Sequence, residues 1–250
     1  KAETLNGNEI HNWLTVNGTS VSVSESKAAE YVKNLASTCN TAYKPKTLKT
    51  SYGKTATITT GNYGWKIDQA KETAALVSLI KNGEQTSREP EYSQKAASHS
   101  GNDYGNTYVE INLTAQHLYF YANGKLLVES DFVSGNAAKG WSTPAGAYSI
   151  TYKQRNATLK GQGYATPVSY WMPFNGGIGL HDANWRKTFG GTIYKNGGSH
   201  GCVNLPPAVA KTIYENISAG DPVLCYHLDG TESSKTSGTK KDGTAATTAV

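Results

Sequence analysis

The chain has few cysteines and no long apolar runs. Its 250 residues include three cysteines, an odd number that leaves at least one thiol free or paired with another chain. So few cysteines exclude a small scaffold held together by several disulfides. The longest apolar run is far shorter than the ~20 residues of a transmembrane helix, and no segment has the pattern of a signal peptide. We therefore expect any leader or membrane anchor to lie outside this chain.

Charged residues are also scarce, at 17% of the chain, and the net charge is only +5. The lysines are scattered, whereas nucleic-acid-binding proteins cluster their basic residues on one face. Nucleic acid is therefore not expected as a partner. A mild positive charge suits an anionic polymer such as a cell wall, although solubility explains the charge equally well.

Tyrosine, tryptophan and glycine are abundant, with 16 Tyr, 5 Trp and 26 Gly. Many aromatic residues combined with many glycines favour short strands and turns over a helical bundle. The same aromatic content argues against a long disordered chain. The length allows one large all-β domain or two ordinary domains.

The first 104 residues predict an α+β domain. Asn17-Gly18 between valine-rich segments indicates a hairpin with a type I′ turn. Ser24 and Asp68 are each placed to cap a helix, and these helices should end near Cys39 and before Gly83. Residues 84–106 are polar and resemble a linker, with a short helical piece expected around 92–97.

Residues 105–228 predict a mostly-β domain, sandwich-like with mixed sheets and one main helix. Asn123-Gly124 predicts a second hairpin turn, and Pro206-Pro207 begins the helix. The predicted strands are Tyr108–Leu113, His117–Tyr121, Lys125–Val133, Ala147–Tyr152 and Val223–Leu228. Residues 229–250 are too polar to pack, so we expect a disordered tail.

The segment 181–204 carries the residues suited to nucleophilic chemistry. The thiol of Cys202 has two candidate imidazoles, His200 two residues away and His181 more distant, and a nearby imidazolium lowers the pKa of a thiol. Gly201 permits a close backbone approach, so the amides of Gly201 and Cys202 can face a developing oxyanion. Two alternatives remain open from this pattern: an inert buried cysteine, and a zinc site on His181, His200 and Cys202, which would lack a fourth ligand.

The sequence around this cysteine resembles the signature of the YkuD-type L,D-transpeptidases, in which a histidine precedes a Ser/Thr-His-Gly-Cys-x-Asn motif. Here the motif runs from Ser199 to Asn204, with His181 upstream. The resemblance covers roughly residues 105–228. It extends to the segments 106–112, 116–121, 143–146, 170–173 and 179–182. The N-terminal half, residues 1–104 and especially residues 63–68, resembles a peptidoglycan-binding domain that often precedes the catalytic domain.

The resemblance implies an extracytoplasmic enzyme of the bacterial cell wall or cell surface that needs no cofactor and no metal. It implies that a cysteine attacks a stem tetrapeptide, releases D-Ala and holds an acyl-enzyme. The side-chain amine of a second stem peptide then forms a 3→3 cross-link. Peptidoglycan stem peptides are thus the expected substrates, and carbapenem β-lactams the expected covalent inhibitors.

The resemblance also implies roles for individual residues. Cys202 is the nucleophile and His181 the general base, and four further residues are expected to complete the catalytic unit: Ser199, His200, Gly201 and Asp182. Four more are expected to contact substrate: Tyr170, Met172, Trp185 and Asn204. Each has a structural alternative: packing for Tyr170, Met172 and Trp185, a helix cap for Asn204, a surface carboxylate for Asp182 and a turn for Ser199.

Two rival functions remain open from the sequence. One is an L,D-carboxypeptidase or peptidoglycan hydrolase, in which water replaces the acceptor amine. The other is a non-catalytic wall-binding protein with an inert cysteine. The product of the reaction distinguishes the first rival, and the reactivity of the thiol distinguishes the second.

Overall fold

A computed structural model describes residues 3–161 and 163–233. Most of the tail expected to be disordered, residues 234–250, lies outside this range. The described residues form two compact units, one of residues 3–42 and 64–95 and the other of residues 43–63, 96–161 and 163–233. No helix in the described part of the chain is long and apolar enough to cross a membrane.

Five α-helices and one short 3-10 helix occur in the described residues. The α-helices are α1 (Gly7–His11), α2 (Glu25–Cys39), α3 (Gln69–Lys81), α4 (Ile193–Gly197) and α5 (Pro207–Asn216), and the 3-10 helix is Ala137–Lys139. The strands are β1 (Leu14–Asn17), β2 (Ser20–Val23), β3 (Lys46–Lys49), β4 (Thr55–Ile58), β5 (Lys66–Ile67), β6 (Tyr92–Gln94), β7 (Tyr108–Asn112), β8 (His117–Ala122), β9 (Lys125–Asp131), β10 (Gly146–Ser149), β11 (Gln154–Gly161), β12 (Tyr164–Asn175), β13 (Ile178–Asp182), β14 (Val203–Leu205) and β15 (Pro222–Tyr226).

The first unit is built around α2 and α3. The Ser24 hydroxyl accepts from the backbone N–H of Lys27, and the Asp68 carboxylate accepts from that of Lys71, so both predicted caps are present. Apolar side chains of the two helices pack with Trp13 and Ile67 in two small clusters. The helical piece expected around 92–97 is wrong, because residues 92–94 form β6 and pair with β5.

The two predicted hairpins use different turns. In the β8–β9 hairpin, Asn123 and Gly124 both have positive φ, at 52° and 78°, as a type I′ turn requires. In the β1–β2 hairpin, Asn17 still pairs with Ser20, so the loop is Gly18-Thr19. Gly18 has positive φ and Thr19 does not, which matches type II′. The expected type I′ turn with Asn17 as its first loop residue is therefore wrong. The loop begins one residue later, at Gly18, and glycine at the first loop position is what a type II′ turn requires.

The second unit contains two mixed sheets that pack around α5. A five-stranded sheet has the order β10-β15-β7-β8-β9, with β15 and β7 parallel, and a four-stranded sheet has the order β11-β12-β13-β14, with β13 and β14 parallel. One core contains Phe120 from the first sheet, Met172 and Leu180 from the second, and Ile213 from α5. The expectation of an α+β part followed by a mostly-β part with one main helix is confirmed.

Residues 43–63 pack with the five-stranded sheet of the second unit rather than with the rest of the N-terminal half. Leu48, Ile58 and Tyr63 share a core cluster with Leu224 and Tyr226 of β15. The fully buried carboxylate of Glu110 accepts hydrogen bonds from the Ser51 amide (3.0 Å), the Ser51 hydroxyl (2.7 Å) and the Tyr226 hydroxyl (2.5 Å). The two compact units therefore do not correspond to two domains that meet at a single boundary after residue 104.

We predict that Glu110→Ala destabilises this unit by about 3 kcal/mol, because it leaves several buried donors without an acceptor. The matched control is Glu129→Ala on β9 of the same sheet, where the carboxylate is 43% exposed and the cost should stay within about 0.5 kcal/mol. Denaturant unfolding measures both losses, and hydrogen exchange of residues 46–58 should accelerate in Glu110→Ala. Equal losses in the two variants would contradict the proposed anchoring of residues 43–63.

Candidate active site

The parallel pairing of β13 with β14 brings the two distant parts of the motif together. His181 lies opposite Asn204, and Leu180 lies opposite Val203. Cys202 is the residue immediately before β14. A parallel pair needs a long crossover between its strands, here residues 183–202, so the histidine and the cysteine are neighbours in space although they are 21 positions apart in the sequence.

The His181 ring is buried, and both of its nitrogens have partners. Nδ1 lies 2.9 Å from the backbone carbonyl oxygen of Asp182, so Nδ1 carries the hydrogen and Nε2 keeps a lone pair in the neutral ring. The Asn204 side-chain Nδ2 lies 3.2 Å from Nε2 and donates to that lone pair. Burial lowers the pKa of His181, with the positive charge of Arg186 acting in the same direction and Asp182 opposing it. The ring is therefore a neutral base at pH 7.

The Cys202 thiol is partly buried against the β11–β12 hairpin, where it packs beside Ala157, Val168 and Trp171. Its Sγ lies 3.6 Å from the carbonyl oxygen of Gly177, which accepts the S–H. Burial raises the pKa of Cys202, and a hydrogen bond from the Gly179 backbone opposes the shift only in part. The resting pair is thus a neutral thiol and a neutral imidazole, not an ion pair.

The loop before Cys202 is held by its own hydroxyl and by a neighbouring turn. The Ser199 hydroxyl donates to the Cys202 carbonyl oxygen (2.5 Å) and accepts from the Gly201 amide (3.0 Å). The Thr143 hydroxyl donates to the Gly201 carbonyl oxygen at 2.6 Å. Gly201 has φ +122°, in a region that favours glycine. These bonds fix the direction of the backbone that delivers the thiol.

A pocket of about 260 Å³ opens beside this loop. It is lined by Leu159, Thr166, His181, Trp185, Arg186, Gly198, Ser199, His200, Cys202 and Asn204. The Trp185 ring is 48% exposed, and its centroid lies 6.0 Å from that of His181. A thiol, an imidazole and an aromatic wall therefore face one cavity large enough for part of a peptide.

Two family models match this chain. One, described as "L,D-transpeptidase catalytic domain", matches residues 106–225, and one described as "Putative peptidoglycan binding domain" matches residues 2–88. A crystal structure of an Enterococcus faecium L,D-transpeptidase cysteine-to-serine mutant is 34% identical, with a TM-score of 0.71 over 89% of this chain and 90% of that one. The chain belongs to the L,D-transpeptidase family.

A second solved structure, the Ldtfm–avibactam carbamoyl enzyme, is 35% identical, with a TM-score of 0.72 over 89% of this chain and 88% of that one. The search of curated proteins finds no match. The L,D-transpeptidase assignment makes this protein an acyltransferase associated with the cell wall.

Several of the predicted site residues lie together in this L,D-transpeptidase. Cys202, His181, His200, Ser199, Trp185 and Asn204 all line the pocket. His200 is exposed and stacks on Trp141, with ring centroids 4.1 Å apart. The capping alternative for Asn204 is wrong, because α5 begins after Pro206 without any side-chain cap bond and the Asn204 amide faces His181.

Asp182 reaches His181 through its backbone rather than its carboxylate. The carboxylate Oδ1 is buried and accepts from the backbone N–H groups of Ser169 and Tyr170, both at 2.8 Å. Those two residues lie on β12 just before its pairing with β13 begins at Trp171. Asp182 therefore fastens the two strands, and the alternative of a surface carboxylate is wrong.

Tyr170 and Met172 are buried in the main core, and neither is among the described residues that line the pocket. The expectation of direct substrate contact thus gives way to the packing alternative for these two. The sequence reasoning also missed four lining residues, Leu159, Thr166, Arg186 and Gly198. Arg186 follows His181 by five positions and could have been noticed as a cation close to the motif.

The zinc alternative has no support in residues 3–161 and 163–233, where no group of three His, Cys, Asp or Glu side chains is arranged to hold a metal ion. The two other cysteines also lie apart from the pocket. Cys225 is fully buried in the main core and Cys39 lies at the end of α2.

We predict that alkylation of Cys202 by iodoacetamide accelerates continuously with pH and has no plateau below pH 8. The reason is that burial raises the pKa of the thiol, so the thiolate becomes abundant only above the ordinary value. The rate is measured by mass spectrometry in a Cys39→Ser background, which leaves buried Cys225 as the only other thiol. A rate plateau that begins near pH 6 would instead indicate a thiolate–imidazolium pair.

Proposed function

We propose that this protein forms 3→3 cross-links between peptidoglycan stem peptides through an acyl-enzyme on Cys202. The observation that carries the proposal is the neutral His181, whose Nε2 lone pair lies in the same pocket as the thiol. A cysteine-to-serine mutant is among the relatives with solved structures, which supports the choice of a cysteine as nucleophile. In this proposal the catalytic domain spans residues 105–228, residues 1–104 include the wall-binding part, and the protein is extracytoplasmic.

The first step transfers a proton from Cys202 to His181. Nε2 exchanges the Asn204 amide for the thiol, and such contacts commonly tighten only when substrate binds. The thiolate then attacks the carbonyl carbon of the third stem residue, and the Nδ1–H bond to the Asp182 carbonyl stabilises the imidazolium that forms. His181 next gives its proton to the nitrogen of D-Ala as the C–N bond breaks, which leaves a thioester.

The developing oxyanion needs a nearby donor. The Gly201 amide is already bound to the Ser199 hydroxyl, whereas the Cys202 amide has no acceptor among the described residues. We assign the Cys202 amide as the oxyanion donor, with Ser199, Gly201 and His200 as residues that position it. A preorganised donor of this kind is worth about 3 kcal/mol of transition-state stabilisation in other acyl-transfer enzymes.

The second step reverses the first with a different amine. The side-chain amine of an acceptor stem attacks the thioester, and His181 removes its proton and returns one to Cys202. The thioester conserves the energy of the cleaved amide, so no nucleotide is required outside the cell. Water in place of the amine would give the carboxypeptidase alternative.

The product distinguishes these two outcomes. With a stem tetrapeptide as both donor and acceptor, we predict a dimer with the mass of two tetrapeptides minus one D-Ala. A tripeptide as the sole product would favour the carboxypeptidase, and no product with any diamine-containing stem would favour the wall-binding alternative.

We predict that His181→Ala lowers kcat by at least about 1000-fold, because it removes the base and the acid of both steps. Asp182→Ala should cost much less activity and should mainly reduce stability, by about 2 kcal/mol, because two backbone N–H groups lose their acceptor while the carbonyl bound to His181 remains. Steady-state rates and thermal unfolding measure the two effects. If Asp182→Ala lost as much activity as His181→Ala and the two variants were equally stable, the Asp182 carboxylate would be part of the catalytic unit.

We also predict a covalent adduct with a carbapenem at one equivalent per chain. A relative has been captured as an avibactam carbamoyl enzyme, which supports attack on a strained cyclic amide or urea. Intact-protein mass spectrometry should find the adduct on the wild type and on Cys39→Ser but not on Cys202→Ala. An adduct retained by Cys202→Ala would remove Cys202 as the nucleophile.

A further inference from the structure

Arg186 places a positive charge in the catalytic pocket that the proposed mechanism does not use. Its backbone amide donates to the Ala183 carbonyl oxygen at 3.0 Å, which closes a turn just after β13. The side chain lines the same pocket as His181 and Cys202. The guanidinium lies close enough to His181 to lower the pKa of the imidazole.

The guanidinium has no counter-ion in the described part of the chain. Its Nε is buried without a hydrogen-bond acceptor, and none of the ion pairs between described residues includes Arg186. The nearby Asp182 carboxylate is occupied by two backbone N–H groups of β12. Burial alone lowers the pKa of Arg186, with no acidic residue opposing it.

A half-buried cation without an anion costs free energy, and the pocket supplies no other charge to offset it. Cys202 and His181 are both neutral at rest, so the empty pocket is positively charged. A guanidinium presents paired donors that match a carboxylate. The missing partner is therefore best explained as a carboxylate that arrives with the substrate.

We propose that Arg186 determines specificity by binding the terminal carboxylate of the donor stem peptide, which belongs to the D-amino acid that leaves. This inference rests on the proposed function. The carboxylate carbon lies within about 4 Å of the attacked carbonyl carbon along the chain, so both fit in one small pocket. In a donor stem that continues beyond this D-amino acid, the carboxylate is replaced by a peptide amide, and Arg186 discriminates against such a donor.

The test compares a donor tetrapeptide that has a free terminal carboxylate with the same peptide as its terminal amide. Wild type should release the terminal residue from the carboxylate donor with a kcat/KM roughly 10- to 100-fold higher than from the amide donor, as expected for a charge-assisted hydrogen bond. Arg186→Met should abolish the preference, and Arg186→Lys should keep part of it. The control Lys187→Met removes an adjacent, exposed positive charge and should leave the preference unchanged.

The ratio between donors separates this role from an effect on His181. Loss of Arg186 changes the pKa of His181 equally for both donors, so it alters both rates and not their ratio. If Arg186→Met lowers both rates equally, the guanidinium acts through His181 or the fold, and the inference is overturned. Suppose instead that Arg186→Met releases the terminal residue at the wild-type rate when no acceptor is present, and that only the dependence of its rate on acceptor concentration weakens. Arg186 then binds a carboxylate of the acceptor, which overturns the donor assignment.

Binding to Cys202→Ala protein tests the inference independently of catalysis. Calorimetry should give a roughly 10- to 100-fold lower Kd for the carboxylate peptide than for the amide, and adding Arg186→Met should make the two Kd values equal. If this preference holds while wild type transfers neither donor, the proposed function fails and the role of Arg186 stands. Equal Kd values in Cys202→Ala protein with Arg186 intact would overturn the inference.

Discussion

The parallel pairing of β13 with β14 is the constraint on which the site depends. It places His181 opposite Asn204 and so sets the imidazole beside the residue that follows Cys202 by two positions. The bonds from Ser199 and Thr143 to the loop then determine where the thiol emerges. Asp182 ties β13 to β12 through two backbone amides, so the strand that carries His181 is held on both sides.

Burial sets the chemistry of this pair. It raises the pKa of Cys202 and lowers that of His181, so both groups rest uncharged. A neutral thiol is a weak nucleophile towards adventitious electrophiles, and activation then depends on substrate bringing Sγ and Nε2 together. The unpaired charge of Arg186 gives the same pocket an affinity for an anionic group. Selectivity and activation can thus both depend on the arrival of one peptide end.

The sequence predicts those parts of the fold that depend on local rules. Ser24 and Asp68 cap their helices, and Asn123-Gly124 forms its turn, because each depends on neighbouring backbone groups. The Gly18-Thr19 loop was missed because the hairpin pairs Asn17 with Ser20, one residue away from the register that Asn17-Gly18 predicts. The strand β6 was missed because its pairing partner β5 is distant in sequence. The same reason explains residues 43–63, whose anchoring to Glu110 leaves no local pattern in the chain.

The site follows the same division. The motif from Ser199 to Asn204 with His181 upstream identifies the family, whereas the burial of Tyr170 and Met172 follows from the packing of β12 onto the core. Asn204 has a sequence position that suits a helix cap, yet the strand pairing turns its amide to His181. Arg186 belongs to no sequence motif, and its role is inferred only from its position in the pocket.

The most direct test of this account is the protonation state of His181, observed by ¹⁵N NMR of histidine-labelled protein as the pH falls from 8 to 5. His181→Gln assigns the resonances. The account predicts a neutral ring protonated on Nδ1 throughout the neutral range, which gains its second proton only below the ordinary value of about 6.5. A ring doubly protonated at pH 7, or protonated on Nε2 alone, would contradict it.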